Sequence, residues 1–150
     1  MKNIFNETDR NEILERIEKL SPDSRPLWGK MNAAQMMAHC YNAYLLAIGE
    51  INAKRVEFPI NIIGRLVKPG FLGESPTRKN SPTAPEIKIT DERNFQKEKM
   101  NLTSALQKMG TEGERIAKAQ THPFFGKMSP NEWGRLTYKH NDHHLKQFGA

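Results

Sequence analysis

Residues 32–49 contain no Asp, Glu, Lys or Arg. In a chain that is 27% charged, this stretch constrains the fold more than any other feature. A helix that is apolar nearly all round is either buried or spans a membrane. Asn32, Gln35, His39 and Asn42 interrupt the stretch, whereas a span needs about 20 predominantly apolar residues. Residues 32–49 therefore read as the central helix of a bundle, and no membrane is expected among the partners.

Other segments show helical periodicity, and none shows a convincing strand alternation. Ile13, Leu14, Ile17 and Leu20 form an amphipathic stripe over about Thr8 to Leu20, with Asp9 and Glu12 spaced as a capping box. Ser21-Pro22 ends it. Ile60, Ile63, Leu66 and Val67 form a short amphipathic piece. Lys68 to Pro85 holds Pro69, Pro76, Pro82 and Pro85 with Gly70 and Gly73. It reads as one long irregular connection, either a mobile lid or a passive crossover. A fourth helix is expected from near Asp91, carrying Phe95, Leu102, Ala105, Leu106 and Met109, and weakened at Gly110 to Gly113.

The last helix is the best delimited. Ser129 is a cap, Pro130 takes the first helical position and Glu132 lies three residues past the cap. Met128 and Trp133 are placed for a hydrophobic staple. The helix is expected to run to about Phe148. Four main helices with one long connection predict an all-α four-helix bundle, one domain over residues 1–150.

Charge and cysteine content narrow the function classes. The net charge of +6 permits acidic partners, but Arg16, Lys19, Lys54, Arg55, Lys68, Arg78, Lys79, Lys97, Lys99 and Lys118 are scattered along the chain. A nucleic-acid module would show a clustered stripe, so no specific nucleic acid is expected. The single cysteine, Cys40, excludes an internal disulfide and fits a reducing compartment. The N-terminus turns polar before an apolar run forms, so a cytoplasmic location is expected.

Three of the five histidines fall in His140-Asn141-Asp142-His143-His144. His140 and His144 are i and i+4, so their rings share one helix face. That face also carries Trp133, Leu136, Thr137 and Gln147, and so points inward. Two inward imidazoles either bond to buried partners or ligate a metal. Asn141 follows the first histidine where a zincin has Glu, so this is not a metalloprotease signature. On the uncharged helix, Gln35, His39 and Asn42 form one polar stripe. If that stripe faces the last helix, His39 joins His140 and His144. Three histidines with an open position suit a catalytic metal. The alternative, core histidines with structural roles, stays open. His122 precedes Pro123 and reads as part of a loop plug with Phe124 and Phe125. Cys40 and the Met36-Met37 pair read as packing.

These residues resemble a known superfamily. Gln35-Met36-Met37-Ala38-His39 combined with His140-Asn141-Asp142-His143-His144-Leu145-Lys146-Gln147 looks like the DinB-like, YfiT-like four-helix bundles. His122-Pro123-Phe124-Phe125-Gly126-Lys127 and Ser129-Pro130-Asn131-Glu132-Trp133-Gly134 resemble a branch mostly of unknown function. The likeness covers about residues 28–50 and 121–150. Lys146 departs from it, standing where many relatives have glycine.

The resemblance implies an up-down-down-up bundle in which one histidine of the second helix and two of the last bind a divalent metal, here His39, His140 and His144. Characterised relatives include S-transferases using low-molecular-weight thiols, a maleylpyruvate isomerase and hydrolase-like members. The expectation is therefore a divalent transition metal, zinc or nickel, with a small-molecule substrate. A low-molecular-weight thiol is the co-substrate under a transferase reading. A metal-dependent hydrolase and a non-catalytic stress-related binding protein are the alternatives. Gln35, Asn42 and Gln147 are candidates to orient a ligand or support a histidine. A homodimer is a further expectation.

Overall fold

The computed structural model describes residues 1–117 and 120–150; Lys118, one of the scattered basic residues, lies outside the described residues. Helices α1 (Glu7–Glu18), α2 (Ala33–Ala47), α4 (Phe95–Ala117) and α5 (Pro130–Gln147) form the bundle. A peripheral helix α3 (Ile60–Phe71) and a two-stranded hairpin, β1 (Thr121–His122) and β2 (Gly126–Lys127), complete the described elements. The architecture is all-α, as the periodicity predicts. No described helix is long and apolar enough to cross a membrane.

The uncharged α2 is central. It packs most extensively on α4 and also meets α5, while α1 closes the bundle against α4 and α5. Met36, Met37, Leu102, Leu106, Met109, Trp133 and Leu145 are fully buried between them. Asn32 caps α2, accepting from the Gln35 N–H while the Gln35 side chain accepts from the Asn32 N–H. Ser129 and Glu132 make the same reciprocal pair at the start of α5.

Four boundaries differ from expectation. Helix α1 is capped by Asn6, whose side chain accepts from the Asp9 N–H, so Asp9 lies within the first turn. Helix α4 starts at Phe95, with the Asn94 side chain accepting from Lys97 N–H. It also continues past Gly110 and Gly113 to Ala117. Those glycines sit where a Cβ would meet the Arg10 guanidinium and the Met109 and Phe5 side chains, so they permit close packing and do not break the helix.

The fourth difference is α3. It runs through Pro69 to Phe71, so the irregular connection begins after Leu72 and not at Lys68. A proline removes one helical donor. Lys139 of α5 holds the end of the helix by donating to the carbonyls of Phe71 and, at 2.7 Å, Gly73. The connection is not structureless either: Pro85–Ile87 forms a 3-10 turn that packs against α2.

The candidate metal centre

The capping box fixes where α2 begins, and two helical turns later His39 faces α5. The i, i+4 spacing brings His140 and His144 to the same place. The rings of His39 and His140 are 4.9 Å apart between centroids, and each lies 4.7 Å from the ring of His144. One potential ligand atom from each lies within 4.8 Å of the others. His39 is 2% exposed and His144 9%, while His140 is half-buried.

Hydrogen bonds to fixed partners decide the tautomers. The carbonyl of Ile87 can only accept, and it lies 2.8 Å from His39 Nδ1. Nδ1 therefore carries the proton, and Nε2 keeps a lone pair. The same reasoning reaches His144 in two steps. The Trp28 carbonyl accepts from Gln147 Nε2 at 2.6 Å, which turns Gln147 Oε1 toward His144. His144 Nδ1 donates to that oxygen at 2.9 Å, leaving its Nε2 lone pair for the centre. His140 Nε2 stands 3.0 Å from His39 Nε2 and donates to it here.

Electrostatics keep the rings neutral. Burial pushes His144 down to about 3 and holds His39 below the ordinary imidazole value. Burial, then the neighbouring His144 and His39, holds His140 well below it. A metal requires neutral imidazoles. An acceptor on the far ring nitrogen, as Ile87 and Gln147 provide, is also the usual support for metal-bound histidine. Zn–N distances of about 2.0–2.1 Å in a tetrahedral site correspond to donors ~3.3 Å apart, close to the His39–His140 separation. The residues present fit a divalent ion. No carboxylate joins the cluster among the described residues.

The other expected residues divide. Gln147 is buried and serves His144 directly. Gln35 has both polar groups bonded to backbone, Oε1 to the Asn32 N–H and Nε2 to the Asp91 carbonyl. It holds the helix start and the connection rather than the histidines. Asn42 is half-buried and makes no side-chain hydrogen bond among the described residues. His143 lies on the flank, with its ring 5.8 Å from Trp28. His122 plugs the hairpin: its Nδ1 accepts from the N–H groups of Phe124 and Phe125. Cys40 is buried beside Met36, and burial pushes its thiol far above the ordinary range.

Two contributors escaped sequence reasoning, the carbonyls of Ile87 and Trp28. Neither depends on its side chain, so neither leaves a motif.

Fold and site together define a class: a helical bundle with a buried histidine triad between its second and last helices. The family model of the DinB superfamily matches residues 6–148. The chain belongs to that superfamily. Neither a search of curated proteins nor one of solved structures found a match.

Proposed function

We propose that His39, His140 and His144 bind one divalent transition metal, zinc or nickel, and that the protein is a metal-dependent transferase using a low-molecular-weight thiol. One observation supports this reading above the rest. Two of the three imidazoles are held by fixed acceptors, Ile87 and Gln147, with Nε2 lone pairs left for a common centre. A core histidine also needs an acceptor for its N–H; the convergence of three ring nitrogens within 4.8 Å of one another is what supports a metal here.

His39, His140 and His144 would hold the ion, and the chemistry it would supply is ionisation of a thiol to a nucleophile. The chain's residues do the rest. His39 and His144 are locked in one tautomer and orientation. His140 is half-buried as a residue, and its ring lies against those of His39 and His144. Burial of the cluster excludes bulk water. A hydrolase would want a general base near the site, and no carboxylate joins the cluster among the described residues. That favours thiol transfer. Cys40, with its thiol held protonated, takes no part.

The test is elemental analysis of tag-free protein beside His39→Ala and His140→Ala, followed by a thiol-transfer assay. About one equivalent of metal in the wild type, lost in both variants, is expected. Cysteine or glutathione with monochlorobimane then reports transfer as fluorescence. Equal metal content in the variants sinks the site; full metal without thiol transfer sinks the reaction.

A further inference from the structure

Ten large hydrophobic side chains are exposed among the described residues, and seven of them lie between Phe58 and Phe71. Leu66 is 75% exposed and Phe58 77%. At about 100° per residue, Ile60, Ile62, Ile63, Leu66, Val67 and Phe71 fall on an arc of roughly 180°. An ordinary surface helix turns such an arc inward. Here α3 is mounted the other way round.

The mounting is built. A Cβ on Gly64 would collide with the Phe124 carbonyl, so only glycine lets α3 sit down on the hairpin. Lys68 pairs with Glu132 at 2.8 Å and donates to the Lys127 carbonyl at 3.0 Å. Lys139 holds the C-terminal carbonyls. The body thus grips the small and basic side of the helix and displays the apolar side.

Charge selects the occupant. No acidic residue occurs from Phe58 to Gly73. Residues 52–81 hold six basic residues and two acidic ones, which is +4 of the chain's net +6. Lys54, Arg55 and Arg78 are exposed, and Arg78 borders Leu66 and Val67, whereas Arg65 lies against Gly126 of the hairpin and Lys79 over the Trp28 ring. Two copies meeting here would bring together two segments that each carry +4. The apolar face is exposed from Phe58 to Phe71, with residues 75–78 along one edge beside Leu66, Val67 and Phe71, an open surface that suits a plane. We infer that α3 is an interfacial helix that seats the protein on an anionic lipid surface. Insertion of one apolar face beside basic residues needs no membrane span. The absence of a spanning helix among the described residues is therefore compatible with it, and it stands independently of the proposed metal site.

The experiment is co-sedimentation of the intact protein with large unilamellar vesicles. One set is phosphatidylcholine alone; the other contains about a third phosphatidylglycerol. Leu66→Glu and Ile63→Glu are compared with the wild type, with circular dichroism and sedimentation velocity as controls for fold and oligomeric state. Wild type should pellet with the anionic vesicles, release as salt rises, and lose at least about tenfold in partitioning in each variant. Failure to pellet overturns the inference. So does pelleting that both variants retain. A lipid-free dimer that each variant dissociates, without vesicle binding, assigns the face to a second copy instead.

Discussion

His144 and Trp28 are joined through one side chain: Gln147 accepts from His144 Nδ1 at 2.9 Å and donates to the Trp28 carbonyl at 2.6 Å. The second bond sets the sense of the first. A loop between α1 and α2 thereby fixes which nitrogen of a buried histidine bears the proton.

Gln147→Leu removes both bonds. Metal affinity, measured by competition with a chromophoric chelator, should fall about 10–100-fold, with stoichiometry at saturation unchanged. Gln147→Glu keeps an acceptor for His144 and should lose less. Equal affinities in all three proteins would show that the orientation of His144 does not depend on residue 147.

His122 gives a pH prediction with a definite sign. Burial pushes its folded-state value down to about 4, below the ~6.5 of an unfolded chain. Its contribution is complete above ~6.5 and is lost as pH falls toward 4, by up to about 3 kcal/mol. Protonation at Nδ1 also removes the acceptor for the Phe124 and Phe125 N–H groups. Thermal melts between about pH 7 and 4 should show this loss. His122→Asn, whose side-chain oxygen can accept two residues on, should flatten the slope. An unchanged slope would place the acid sensitivity elsewhere.

Cys40 should be inert in the native state. It is 2% exposed, and its thiol is held protonated by burial. A thiol reagent should label it only after denaturation, and Cys40→Ala should keep full metal content. Rapid labelling in buffer would contradict the packing described.

Stability should separate core from cap. Leu106→Ala, at a fully buried position between the helices, should cost about 2–5 kcal/mol. Asn32→Ala, which removes one half of the α2 capping box, should cost about 1 kcal/mol. Urea unfolding curves resolve both, and a reversed order would mean that the helix start governs the bundle.

The helix pattern was legible where burial and periodicity agree. The uncharged stretch located α2, and Ser129-Pro130 with Glu132 located α5 almost to the residue. The three histidines were legible as a set because i, i+4 spacing and one polar stripe leave few meeting places. Pro69 and the two glycines of α4 misled, because breakers act only where the surroundings cannot accommodate them. The capping role of Gln35 was not legible, because an amide on the histidine stripe is equally able to cap the helix. The outward mounting of α3 was invisible, since periodicity gives the width of an apolar face but not what it turns toward.

The Ile87 carbonyl carries a consequence for how such a site diverges. A main-chain oxygen is the same whatever amino acid bears it. The side chain at position 87 is therefore free to drift while its contact with His39 Nδ1 endures. What must be preserved is the path of the backbone through the 3-10 turn. A change in the length of the connection between α3 and α4 would move that oxygen and alter the basicity of His39 with all three histidines still in place.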